Sequence, residues 1–160
     1  MKNKSIYREF CKNEITIPIF SQDWWLDLVS NNEWDVCLVD KDQEILAAMP
    51  YVIKKSYGFN FITMPSLTQN LGPWLKKSHS KYSKKLSQEK DLMYALIDQL
   101  PKYDYFLQNW HHNSANWLPF HWRGFEASTR YTYVIENLSD IDNVWNNMQE
   151  NIKYDIRKAN

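Results

Sequence analysis

"EWDVCLVDKDQEILAAMPYVIKK", Glu33 to Lys55, is the stretch that decides the fold. Two apolar runs flank the polar "KDQ", Lys41 to Gln43. So short a connection joins neighbouring antiparallel strands, which predicts a β-hairpin with strands over 33–40 and 44–55. Pro50 has no N–H to give to a ladder and predicts a bulge or an edge position. Asp35, Asp40 and Asp42 read as turn chemistry at the hairpin ends.

Downstream, Gly58 turns the chain into a third strand, "FNFITM", residues 59–64. A Pro- and amide-rich loop follows, "MPSLTQNLGPWLKK", Met64 to Lys77, and then a lysine- and serine-rich stretch that reads as a solvated loop. "SQEKDLMYALIDQLP", residues 87–101, predicts a helix capped by Ser87 and stopped by Pro101, with Leu92, Met93, Leu96, Ile97 and Leu100 on its inner face. The strand "YDYFLQNW", 103–110, returns after that helix, so it should lie parallel to the third strand through a right-handed crossover. An irregular segment leads to a last strand, "TRYTYVIE", residues 129–136. "LSDIDNVWNNMQENIKYDIRKAN" predicts one long amphipathic helix opened by Ser139 and Asp142 as a capping-box variant. Its stripe is Ile141, Val144, Trp145, Met148, Ile152 and Ile156, and no stop signal closes it.

Upstream, "SIYREFCKN" suits a short helix. A second helix should be capped by Ser21, with Asp23 in its first turn and Trp24, Trp25, Leu28 and Val29 on one face. The fold expected is α/β (α+β): a single domain with a central mixed, mostly antiparallel sheet and helices on both faces. It would span 1–138, followed by the helix 139–160.

At 160 residues the chain can bury roughly two thirds of its unfolded surface in one core. A formal charge of zero offers no global field for nucleic acid or an acidic membrane, and the lysines of 76–90 form the only basic stripe. Cys11 and Cys37 have no metal or redox spacing, and Cys37 reads as a small buried hydrophobe. No apolar run suits a signal peptide or a membrane span, which leads us to expect a cytoplasmic protein. Aromatics make up 16% of the chain, enough to build either a ring-rich core or an aromatic cleft.

The order of elements resembles that of the GNAT acyltransferase fold. Seven segments in consistent order resemble something narrower, the first half of FemAB-like proteins, relatives of the peptidoglycan aminoacyltransferases. They are "IPIFSQDWWLD", "WDVCLV", "AAMPYVIKK", "MPSLTQNLGPW", "NWLPFHWRGF", "TRYTYVIE" and "NIKYDIRKA". That resemblance implies two GNAT-like lobes, with an acceptor held in and beside the cleft between them. It implies an acyl-CoA or aminoacyl-tRNA donor for the two-lobe protein, no cofactor in this lobe, and a second lobe continuing beyond residue 160.

A GNAT enzyme cradles the coenzyme pyrophosphate on a Gly-rich turn after its fourth strand. Here that place holds Gly72 alone, followed by Pro73, which lacks an amide hydrogen, so no standard acetyl-CoA site is expected. Thr68, Gln69 and Asn70 instead offer side-chain donors and acceptors beside Trp74, a flat wall suited to a sugar, peptide or amide-bearing acceptor. The same groups could simply satisfy the loop. Six lysines of 76–90 against Glu89 leave a local charge of about plus five, which could attract a diphosphate or transfer RNA, although the interleaved serines favour a mobile loop.

Gln108, Asn109, His111, His112 and Trp117 follow a strand and could hold the same acceptor. A histidine there could serve as general base to an amine, or merely bond loop carbonyls. Metal spacing is absent, as is any hydrolase triad or elbow. Arg130 could grip a carboxylate or phosphate, or pair with Glu126 or Glu136. The leading expectation is the acceptor-binding lobe of an amide-forming acyl- or aminoacyl-transferase, its catalytic base not identified. The alternative is a non-catalytic ligand-binding module, or one that self-associates through 139–160.

Overall fold

The computed structural model describes residues 2–135 and 137–159. They fall into two compact units, Met1–Ala127 and Ser128–Asn160.

In the first unit, α1 (Lys2–Asn13), a 3-10 turn (Ile19–Ser21) and α2 (Asp23–Ser30) precede the hairpin. The hairpin forms as its alternation predicts: β1 (Asp35–Lys41) pairs antiparallel with β2 (Glu44–Tyr51), with a bulge between Val39 and Asp40. Asp42 and Gln43 both take positive φ, the twist that a two-residue hairpin needs. The second predicted strand is split in two at the buried Val52, so β3 (Ile53–Ser56) continues its line. After a second two-residue turn at Tyr57 and Gly58, also both at positive φ, β4 (Phe59–Ile62) pairs back on β3.

From there the chain leaves the sheet and returns as β5 (Trp74–Leu75), which pairs with β2 at Ala47 and Ala48. Between those pairings, residues 63–73 on one side face only 49–52 on the other. This excursion interrupts the line of strand beside β2. Then α3 (Tyr82–Ile97) crosses over to β6 (Tyr105–Phe106), which lies parallel to β4 as the helical crossover requires. The two sheets run β1-β2-β5 and β3-β4-β6, and the mixed α+β class holds. Inside the predicted irregular segment 111–125, residues Leu118–Trp122 form a short helix, α4.

Alternation along β1 and β2 feeds two cores. Val36, Leu38 and Ala48 pack with Tyr7 and Leu26 of α1 and α2. On the opposite face, Cys37, Ala47 and Met49 pack with Met93 and Leu96 of α3 and Phe120 of α4. Helices therefore cover both faces of the hairpin.

Several expectations are corrected. Ser21 does not cap α2; it is buried in the 3-10 turn, its carbonyl accepting from Tyr7 Oη at 2.8 Å, and Gln22 holds the cap position, its side chain donating to the Ile17 carbonyl rather than capping the helix. Within α2, Leu26 is the buried residue, while Trp24 and Leu28 face solvent. The helix α3 begins at Tyr82, five residues before Ser87, so much of the supposed lysine loop is helical. Lysine stems suit an exposed helix, and Lys85 lies 3.7 Å from Glu89 one turn on.

In the second unit the predicted strand 129–136 does not form: 128–135 is irregular, with Tyr131 and Tyr133 fully exposed, and Glu136 lies outside the described residues. Alternation alone does not make a strand where no neighbouring strand pairs with it. The predicted single helix is two, α5 (Ile141–Asn147) and α6 (Glu150–Ala159), broken where Met148 turns extended. Asp140 rather than Ser139 caps α5, its carboxylate accepting from Asn143 N–H at 2.9 Å. Ile141 and Ile152 remain exposed on these helices.

Candidate functional site

The excursion 63–73 creates the site. Along β1, the outward groups of Val36 and Leu38 bond to the side chains of Asn3 and Gln99. Residues 35, 37 and 39 therefore face β2, and residues 46, 48, 50 and 52 of the second line face the excursion. The Leu46 carbonyl takes Lys76 N–H at 2.9 Å, Ala48 pairs with Trp74, and the Val52 carbonyl takes Thr63 N–H at 3.4 Å. Among the described residues, position 50 of this row has no main-chain partner opposite it. Proline is tolerated there because its nitrogen needs no acceptor, and its carbonyl takes the Gln108 side-chain Nε2 at 3.0 Å. Of the bulge or edge position expected at Pro50, the structure shows a local edge, at a gap in the neighbouring strand.

Gln108 thus stands in for a missing backbone donor, and the segment that carries it is tied to the excursion. Leu71 N–H donates to the Asn109 carbonyl at 2.7 Å, and Leu71 bridges Trp110 in parallel. Asn109 N–H points at Met64 Sδ, 3.3 Å away. Gly72, at φ +100°, lies beneath the Trp110 indole, and a Cβ there would come within 2.6 Å of the ring. The single glycine of the loop serves this close approach. Segments 66–75 and 108–122 therefore meet, in direct contact at Leu71–Gly72 and Asn109–Trp110.

The predicted site residues divide into those bound internally and those with capacity left. Thr68 is buried: its hydroxyl accepts from Trp25 Nε1 at 3.0 Å and donates to the Ser66 carbonyl at 3.1 Å. Trp74 donates to Thr16 Oγ1 at 2.9 Å and packs edge-on against Phe10, so its ring closes the first core. Gln69 is exposed. Asn70 Oδ1 and Gln108 Oε1 are buried and have no hydrogen-bond partner among the described residues.

His111 and His112 stack with ring centroids 4.1 Å apart. Burial first, and then the neighbouring His112, hold His111 below the usual imidazole range. Its Nδ1 accepts Asn113 N–H at 3.2 Å, which leaves the proton of the neutral ring on Nε2. In that tautomer neither nitrogen is free to take a proton from an amine. Trp117 is exposed beside His121, ring centroids 5.6 Å apart. Arg130 is exposed and belongs to the second unit.

Sequence reasoning missed Trp25, which holds Thr68, and Met64 and Pro50, which receive the donors of 108–109. Pro50 carried a signal, since a proline inside a central strand demands an explanation. The other two are long-range contacts that no local pattern announces. The cysteines supply no nucleophile: burial pushes the Cys11 thiol up to about 11 and the Cys37 thiol to about 12. Among the described residues no helix is long and apolar enough to cross a membrane, and no three His, Cys, Asp or Glu side chains gather as for a metal.

Compared with protein-family models, with curated proteins and with solved structures, the chain matches none.

Proposed function

We propose that this chain is the acceptor-binding lobe of an acyl- or aminoacyl-transferase that acts on an amine-bearing cell-envelope precursor. One observation carries the reading: two buried carboxamide oxygens, Asn70 Oδ1 and Gln108 Oε1, in two segments that meet, lack donors among the described residues. A buried acceptor left unbonded costs about 1–3 kcal/mol, and the N–H donors of an amine relieve it. Gln108 is held by Pro50, so its free oxygen is oriented before any ligand arrives. The resemblance of seven segments to FemAB-like proteins agrees with an acceptor of this kind.

In the reaction proposed, the acceptor amine, once deprotonated, attacks the acyl carbonyl of an acyl-CoA or aminoacyl-tRNA. The amide C–N bond forms, the thiol or ribose hydroxyl departs, and the amine's second proton leaves with it or to solvent. This lobe's share is positioning: carboxamide oxygens that accept the amine N–H bonds aim its lone pair.

Thermal shift and calorimetry with a lysine-containing UDP-muramoyl pentapeptide test the proposal. Ligand at a hundredfold excess over Kd should stabilise the protein by about 2.7 kcal/mol, raising Tm by several degrees. Acetylating the lysine amine, or the substitution Asn70→Leu, should remove most of that shift. Equal shifts for free and acetylated ligand, or none for either, would overturn it. A second reading, a module that self-associates, is favoured by the exposure of Ile141 and Ile152 on α5 and α6. Concentration-dependent sedimentation, lost on Ile152→Lys, would support that reading instead.

A further inference from the structure

The outer side of the hairpin line carries two stretches of strand edge, and they are treated differently. Along β1 the outward groups are covered: Gln99 accepts from Leu38 N–H at 3.2 Å and donates to its carbonyl at 2.8 Å, while Asn3 reaches the Val36 carbonyl. Beside β3 there is no such cover. The ladder that opens with Thr63 N–H on Val52 turns the N–H and C=O groups of Ile53 and Lys55 away from β4. Among the described residues, no hydrogen bond reaches them from the outer side. Because β1 begins at Asp35, opposite Tyr51, the lane it would occupy alongside β3 holds no strand among the described residues. A concavity of about 640 Å³ opens there, lined by Ile53, Lys54 and Lys55 of β3 together with Glu33, Trp34, Asp35, Tyr51 and Pro101.

We infer that this lane is a docking site for an extended peptide segment of another protein, bound by strand addition to β3. The main-chain groups of Ile53 and Lys55 supply the ladder, and the charges choose the occupant. Lys54 and Lys55 form no ion pair among the described residues, so they call for carboxylates on the incoming strand. Glu33 and Asp35, which line the same concavity, call for a basic residue or an amino terminus. A second copy of this chain is a poor occupant, because β3 against β3 sets lysines against lysines. The site lies on different residues from the acceptor site, and neither inference depends on the other.

The test is NMR titration of the full ¹⁵N-labelled chain with a short peptide of alternating Val and Thr, glutamates at one end and lysines at the other, in both orientations. One orientation should shift the Ile53 and Lys55 amides and slow their hydrogen exchange. Reversing charge with Lys54→Glu and Lys55→Glu should weaken binding about tenfold, as expected for two exposed ion pairs. Ile53→Pro removes an outward N–H without breaking the β4 ladder, and it should weaken binding while the β4 amides stay in place. Amides of 53 and 55 unmoved at millimolar peptide would overturn the inference. So would equal binding by the charge-reversed protein, or a β3-mediated dimer that excludes the peptide.

Discussion

Gly72→Ala is the substitution whose effect follows most directly from the geometry. Its φ of +100° is a conformation that L side chains rarely adopt, and forcing one into it costs about 1–2 kcal/mol. The added Cβ would also lie 2.6 Å from Trp110 Cδ1 and 2.8 Å from Cγ. The ring has no room to withdraw, since it sits edge-on to Phe120 with centroids 4.7 Å apart. Overpacking of that kind adds about 1–3 kcal/mol, for a total of about 2–5 kcal/mol. Gly124→Ala is the control, because Gly124 has φ +89° with nothing within 4 Å of the added methyl. Urea unfolding at unchanged m-value should show Gly72→Ala costing about 1–3 kcal/mol more than Gly124→Ala. In a Trp110→Leu background that excess should disappear. Equal costs for the two alanines in the native background would refute the close packing of 72 against 110, and with it the contact that brings the two site segments together.

Three further outcomes are expected. Thr68→Val removes the acceptor of Trp25 Nε1 and strands a half-buried indole N–H, so stability should fall by about 1–3 kcal/mol by urea denaturation. Asp27 has opposing influences: burial raises its pKa, but hydrogen bonds from Arg8 and Trp34 outweigh it and hold the carboxyl below 3.8. Its contribution is therefore complete above the unfolded value and is lost as pH falls through the folded one; stability measured down from pH 5 should decline more steeply than in Asp27→Asn. With thiols at about 11 and about 12, neither cysteine should react quickly with Ellman's reagent at pH 8. The half-buried Cys11 should lead, and Cys37 should react only on unfolding.

What the sequence made legible, and what it did not, follows from the range of the interactions involved. The hairpin could be read because alternation and a two-residue turn are local, and the parallel β4–β6 pair because a helix between strands leaves little choice. The inner face of α3 was readable for the same reason. By contrast, α2 misled because its two tryptophans outweigh Leu26 in any hydrophobic pattern, although Trp25 is spent on a hydrogen bond to Thr68. The start of α3 was hidden because lysines and serines look alike in a loop and on an exposed helix. Residues 129–135 alternate as a strand does, but a strand needs a partner and the pattern does not name one. At the site, Asn70 and Gln108 could be nominated by type alone. That Gln108 would replace a strand's donor at Pro50, 58 positions away, could not.

The account rests on the carboxamides of Asn70 and Gln108 receiving an amine. NMR titration with the lysine-containing UDP-muramoyl pentapeptide, following the side-chain ¹³C carbonyl and ¹⁵N resonances of those two residues, tests this most directly. Both should shift together and saturate with the free amine, and stay still with its acetylated form. Ligand that binds while both carboxamides remain unmoved, or that moves them equally with the amine blocked, would contradict the account.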